Sequence, residues 1–449
     1  MHVLLFNPWI TDFAAFDLWT RPLNLLRLGA VLRQYGCTVE LFDCMDRFSP
    51  WLKGLRQRNH RMNALGCGHY YFEIIPNPDL LSFVPRQYKR FGIPKQRVRE
   101  ALYQMEEPNC IVVSCMMTYW YPGAFEAISL LREVFPTVPI VLGGVYPTLC
   151  FEHAKTGSGA DWICRGPHWF SIAAEILSLV EQPIPMQGDH ATWIEPAYDL
   201  LQNESAFPLL TSVGCPFHCT YCATHSIWPK YVSYPVQQVV DSIERLVKEY
   251  GATDLAFYDD ALLIHKKSHF LPMMEEIVRG QLPVRFHTPN AVHVRELDAR
   301  TAQVMKKAGF QTIRLALETV AGDWQQNTGA KVFTSEYLEA MDSLKAAGFS
   351  SREIGTYIMY GLPNQPLDNV VQACNVVHHA GSEIKIAMYS PVPGTSLFQE
   401  TNHGFVFDPT QDPLLQNNSL APWRTGQISY AEYQDLKRYV ADRNQKLNS

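Results

Sequence analysis

From residue 209 onward the chain repeats one unit, a short run rich in apolar residues followed by a longer stretch with helical spacing. The short runs fall at 209–213, 254–258, 284–288, 312–317, 353–359 and 384–389, and the helical stretches include 239–250, 301–308 and 336–347. Few folds accept such alternation, because parallel strands joined by crossover helices must form a sheet that those helices cover. The six units are too few to close a barrel of eight strands.

The first third carries a related pattern. Residues 1–6 read as an apolar strand, 23–32 as a helix with Gly36 as its stop, and 38–42 as a returning strand. The alternation resumes with a strand at 110–114, a helix at 124–135 and a strand at 139–142 that runs into Gly143-Gly144. A doubly wound parallel sheet over residues 1–182 is expected, with any ligand at the carboxyl ends of its strands. Residues 51–109 interrupt it as a long insertion, of a length often used for lids and binding loops. Pro183, Pro185 and Pro196, with little periodicity around them, mark 183–204 as a linker. The barrel region then occupies 205–400, and 401–449 is a short extension with one helix at 430–445.

The densest chemistry is in Gly214-Cys215-Pro216-Phe217-His218-Cys219-Thr220-Tyr221-Cys222, where the run 208–213 reads as a buried strand ending in a Gly-Cys-Pro turn. Thiolates select iron-sulfur clusters, and a loop this short can place three of them on one cubane, leaving the fourth iron open to a small molecule. The alternative is zinc, with His218 or His225 as fourth ligand. Zinc sites usually draw their ligands as two separated pairs, and no second C-x-x-C or H-x-x-x-H lies nearby.

This C-x-x-x-C-x-x-C stretch, with the aromatic Tyr221 before its last cysteine, resembles the cluster motif of the radical S-adenosylmethionine (SAM) superfamily. The resemblance implies a 4Fe-4S cluster on Cys215, Cys219 and Cys222 and cleavage of SAM to a 5'-deoxyadenosyl radical. It also implies a partial (β/α)6 TIM barrel, whose chemistry sits at the carboxyl ends of the strands. There the chain places Tyr258-Asp259-Asp260, His287-Thr288-Pro289-Asn290 and Arg314-Leu315-Ala316-Leu317-Glu318. By resemblance, Tyr221, Asp259, Asn290 and Glu318 contact SAM. Asp259 and Asp260 alternate in direction, so one of them faces inward. The sequence singles out no further catalytic side chain.

The N-terminal domain is similar to the cobalamin-binding domain that precedes many radical SAM barrels. Pro22-Leu23, Leu25-Leu26 and Gly29 match its first helix, and Ser114, Thr118, Gly143 and Gly144 match positions that cradle the nucleotide tail of cobalamin. The chain departs from other cobalamin proteins after its first strand, where Phe6-Asn7-Pro8-Trp9-Ile10-Thr11-Asp12 lacks the D-x-H-x-x-G motif. Cobalamin would therefore bind without an axial histidine. In the insertion, Cys67 and His69 are candidates for contact with substrate or cobalt, although the preferred reading packs their aromatic neighbours as a small core.

The implied activity is cobalamin-dependent methylation of an unactivated carbon in a small-molecule or peptide substrate, fed by an external one-electron donor of flavodoxin or ferredoxin type. The alternatives are a rearrangement, cyclisation or cleavage with an empty N-terminal domain and, from another class, a non-catalytic iron-sulfur sensor. With 38 basic and 44 acidic residues and no basic stripe, nucleic acid is not the expected partner. No apolar stretch is long enough to span a bilayer, and a cytoplasmic location is expected. Eleven cysteines then mean thiols, and the eight outside the motif read as small buried hydrophobes.

Overall fold

The computed structural model describes residues 1–55, 63–166, 168–179, 188–189, 191–202, 204–401, 405–426 and 428–447. It divides into two compact units, Met1–Glu204 with Thr410–Gln416, and Ser205–Pro409 with Asn417–Ser449. Pro183 and Pro185 of the expected linker lie outside the described residues.

In the first unit a run of buried apolar residues makes β1 (His2–Asn7), and α1 (Leu23–Gln34) follows, its leucine stripe buried. Gly36, at φ +81°, lets the chain reverse into β2 (Thr38–Asp43). Then come β3 (Cys110–Ser114), α2 (Tyr121–Val134), β4 (Ile140–Gly143), β5 (Trp162–Ile163) and α3 (Trp169–Leu179). The five strands are parallel in the order 2-1-3-4-5. That is the flavodoxin-like order, whose connections diverge between β1 and β3, and ligands in such sheets bind at the carboxyl ends beside this switch point. Leu4, Phe6, Ile111, Val113, Ile140 and Leu142 form the centre of the core, each burial worth roughly 1.5–3 kcal/mol.

The insertion packs into a small core that it shares with residues 10–12 and Met45. Strands Ile10–Asp12, Tyr88–Phe91 and Phe72–Ile75 make an antiparallel sheet, packed around Ile10, Met45, Tyr70 and Phe91. Its first strand lies in a stretch to which apolar periodicity assigned no element, because its hydrogen-bonding partner lies far along the chain. Cys67 is buried in a turn closed by Asn63, and exposed His69 packs edge-on against Phe16. Residues 56–62 of the insertion lie outside the described set. Beside the sheet a buried ion group forms in which Asp17 accepts from Arg21 and Arg47 while Arg21 also pairs with Glu204.

In the second unit β6 (Ala206–Leu209), β7 (Asp254–Phe257), β8 (Arg285–His287), β9 (Phe310–Glu318), β10 (Ile354–Tyr360) and β11 (Glu383–Met388) run parallel in sequence order. The sheet stays open, since β6 and β11 are its two edges. Helices α4 (Val236–Tyr250), α5 (Phe270–Gly280), α6 (Ala299–Ala308), α7 (Thr334–Ala346) and α8 (Leu367–His379) intervene, and α9 (Tyr430–Leu447) ends the chain. Asp298 caps α6 by accepting from the Thr301 amide, a contact worth about 1 kcal/mol. Phe257, Phe286 and Phe310 stack across β7, β8 and β9 with centroids 5.4–5.8 Å apart.

One boundary differs from expectation. The first barrel strand is Ala206–Leu209, not 209–213. Beyond Leu209 the chain leaves the sheet, and Ser212–Val213 pairs antiparallel with Val232–Ser233. The reason is Asp259, whose buried carboxylate draws the Thr211 and Ser212 donors away from the strand direction. No helix among the described residues is long and apolar enough to cross a membrane.

Candidate active site

Three separate contacts hold the cysteine loop. At its start Asp259 accepts from the Thr211 amide at 3.1 Å, the Thr211 hydroxyl at 2.7 Å and the Ser212 hydroxyl at 2.6 Å. Gly214 follows at φ +76°, where a Cβ would lie 2.5 Å from the Lys230 carbonyl oxygen, so only glycine passes. In the middle, Thr220 accepts from the Leu397 amide at 2.9 Å, and its own amide donates to the Thr328 carbonyl. Gly329, at φ +110°, lies so close to the loop that a Cβ would sit 3.1 Å from both the Cys219 Cα and the His218 carbonyl oxygen. The segments after β9 and β11 thus clamp the loop.

The three thiols are half-buried and form no disulfide. Burial pushes the Cys215 thiol up to about 11 and Cys219 upward too; Cys222 adds to both shifts and Lys331 opposes both. Three thiolates in one another's field need a compensating positive charge, and a bound metal supplies it outright. This donor set fits a cluster held by three cysteines. The zinc alternative loses support, because His218 and His225 stack on each other at 4.0 Å and His225 Nε2 faces the Phe217 carbonyl oxygen at 2.8 Å. Among the described residues no three His, Cys, Asp or Glu side chains converge as ligands of one metal ion.

Glu318 ends β9 at φ +64°, after a register slip at Ala316/Glu318. A non-glycine residue held there costs on the order of 1–3 kcal/mol, a strain that collects at functional sites. Burial pushes its carboxyl up, while Lys331 and the Tyr221 hydroxyl pull it back. The same hydroxyl reaches Cys219, so Tyr221 links this cysteine to the acid. Lys331 lies within electrostatic reach of Cys215, Cys219, Asp260, Glu318 and His293. Sequence reasoning passed over Lys331, since a single lysine in a loop carries no spacing signal. The neighbouring Gly329 was the available cue, as a glycine marks close backbone approach.

The two adjacent acids separate as alternation requires. Asp259 is buried with its oxygens engaged by Thr211 and Ser212, whereas Asp260 is solvent-exposed. Protein crowding around this exposed side chain and the Asp259 charge push the Asp260 carboxyl up to about 6, against Lys331. Asn290 Nδ2 donates to the Tyr258 carbonyl at 2.9 Å, which ties it to the end of β7 and leaves its Oδ1 as acceptor. His293, also unforeseen, is buried; it stacks on Phe217 at 4.3 Å and places Nε2 3.9 Å from Cys215 Sγ.

In the first unit Ser114 and Gly143 are register partners at the carboxyl ends of β3 and β4. Thr118 is buried at the start of a turn packed against Pro413–Gln416. Gly144 has φ +108°, and a Cβ there would meet the Cys115 carbonyl oxygen at 2.4 Å; at Gly143 the nearest atom is 3.9 Å away. The chain's own backbone therefore explains Gly144, while Gly143 leaves room. The other eight cysteines are all buried or nearly so.

Together these features define an α/β protein whose open parallel barrel presents three clamped thiols beside an acid and a lysine. Residues 209–377 match the radical SAM superfamily, so the second unit carries a radical SAM domain, and that family implies a 4Fe-4S cluster and SAM. The chain is 24% identical over 345 residues to the anaerobic magnesium-protoporphyrin IX monomethyl ester cyclase of Cereibacter sphaeroides, covering 69% of this chain and 55% of that protein. To the cytidylyl-2-hydroxyethylphosphonate methyltransferase of Streptomyces wedmorensis it is 21% identical over 476 residues, covering 91% and 83%. The chain thus spans little more than half of the cyclase it matches. Among solved structures, the radical SAM methyltransferase TsrM from Kitasatospora setae, with cobalamin and a 4Fe-4S cluster bound, superposes with a TM-score of 0.65 at 15% identity, covering 94% of this chain and 86% of that one. The cobalamin-dependent SAM radical enzyme OxsB gives 0.60 at 14%, covering 96% and 57%. Identities this low carry the fold alone.

Proposed function

We propose that this enzyme cleaves SAM reductively at the barrel mouth and uses cobalamin in its N-terminal domain, residues 1–182, to methylate an unactivated carbon. The observation that carries the reading is the meeting of Cys215, Cys219 and Cys222 with Tyr221, Glu318 and Lys331 at one set of strand ends. Cys215, Cys219 and Cys222 would hold the cluster, which would supply the electron for reductive cleavage of SAM. Lys331 would offset thiolate charge and pair with the SAM carboxylate. Glu318, set by Tyr221, and the Asn290 Oδ1 take the ribose or amine. Asp260 rather than Asp259 contacts SAM, because Asp259 is committed to the Thr211–Ser212 turn.

Cobalamin, when bound, supplies the methyl group. Ser114, Thr118 and Gly143 would hold its nucleotide tail, and the flavodoxin-like strand order, with its switch point between β1 and β3, supports a ligand there. Substrate is a small molecule or peptide, electrons come from a flavodoxin- or ferredoxin-like donor, and eleven cysteines that form no disulfide suit a reducing cytoplasm. A second reading, with the N-terminal domain empty and the outcome a cyclisation, rearrangement or cleavage, draws support from Gly144, which the backbone explains without a ligand.

The test is protein made anaerobically in cobalamin-replete cells. Near-stoichiometric corrinoid with formation of S-adenosylhomocysteine is expected. Corrinoid-free protein that still releases 5'-deoxyadenosine would overturn the methyl-transfer reading and favour the second.

A further inference from the structure

His293 lies just after β8 and has no role in the reading above. Its Nε2 is 3.9 Å from Cys215 Sγ, within hydrogen-bond range for sulfur. Its ring stacks on Phe217, two residues from Cys215. Nδ1 is buried and meets no partner among the described residues. A cysteine that ligates a metal does so as a thiolate, which accepts hydrogen bonds and donates none. The proton between the two groups must then sit on Nε2. A neutral imidazole has one N–H donor and one acceptor, so the unpartnered Nδ1 is the acceptor, which matches.

We propose that His293 donates an Nε2–H hydrogen bond to the Cys215 thiolate and thereby sets the reduction potential of the cluster, rather than touching SAM or substrate. Hydrogen bonds to the ligating sulfurs are among the factors that set these potentials. The direction follows from charge. Reduction adds an electron to a cluster whose sulfurs share it, and a donor stabilises the more negative state. Removing the donor therefore makes the cluster harder to reduce. The stacking on Phe217 fixes the ring plane, and with it the direction of the N–H.

This inference rests on the cluster reading, and the two fail in different ways. The experiment is an EPR-monitored reductive titration of reconstituted full-length protein without substrate, with iron and sulfide counted per chain. His293→Phe keeps the stacking and removes the donor. Its midpoint should fall by about the equivalent of a tenfold change in the reduction equilibrium, ~59 mV for one electron, at unchanged iron content. His293→Gln, which retains an N–H donor, should lie between His293→Phe and the native protein. An unchanged midpoint in His293→Phe with the cluster intact overturns the proposal. If His293→Phe takes up no iron, His293→Gln decides: a midpoint near native supports the donor, and one lowered by the full tenfold overturns it. Native protein that assembles no cluster overturns this inference together with the reading beneath it.

Discussion

The carboxyl ends of the two sheets are built from similar strands and finished differently. In the barrel, the segments after β9 and β11 close over the cysteine loop yet leave Asp260 exposed and the three thiols half-buried, while Glu318 is held at φ +64°. In the first unit the ends are closed by the chain itself, Gly144 against the Cys115 carbonyl and Pro413–Gln416 against the Thr118 turn. There Asp412 accepts from the Tyr121 hydroxyl at 3.0 Å and anchors that segment. Charge and strain are concentrated at the strand ends of the barrel, backbone closeness and burial at those of the first unit.

The sharpest way to break this contrast is Cys219→Ala. It should abolish 5'-deoxyadenosine formation and strip most of the iron while leaving the first unit folded, as read by iron analysis and circular dichroism. Retained SAM cleavage would remove the barrel mouth from the chemistry. Next comes Gly144→Ala, whose Cβ meets backbone in a left-handed conformation. A loss of about 3 kcal/mol is expected in urea unfolding of the first unit, with iron content unchanged.

Asp43, at the end of β2, sharpens the comparison through pH. Burial pushes its carboxyl up to about 7, although Asn7 and the Met45 amide favour the charged form. A folded value above the unfolded one means stability that is complete below about pH 4 and lost as pH rises through 7. Asp43→Asn should flatten this fall, worth about 2 kcal/mol between pH 5 and 8, in urea midpoints. A parent protein equally stable at both pH values would contradict it. The smallest effect is expected from Lys331→Met, which should weaken SAM binding about tenfold, ~1.4 kcal/mol, with the cluster retained. Unchanged affinity in equilibrium dialysis would return Lys331 to a purely structural role.

Much of the molecule was legible in its sequence. Apolar periodicity located the strands β1, β2, β3 and β7 to β11 within a few residues, because the inward faces of buried strands and helices must be apolar whatever their partners. The spacing of Cys215, Cys219 and Cys222 is equally local, since a short loop brings its own thiols together. The strand misplaced at 209–213 shows where this stops: its apolar residues were read correctly, but the Asp259 carboxylate, just past β7, decides where the chain bends.

The sequence by itself determined two α/β regions, the open six-stranded barrel and the three cysteines. Only the tertiary structure decided that Asp259 anchors a turn while Asp260 stays open, that Lys331 and His293 reach the cysteines, and that Thr410–Gln416 returns to the first unit. The physical reason is range. Periodicity and loop spacing act over a few residues along the chain, whereas a field, a hydrogen bond or a close backbone approach depends on which distant segments meet in space, and that leaves no repeat in the sequence to read.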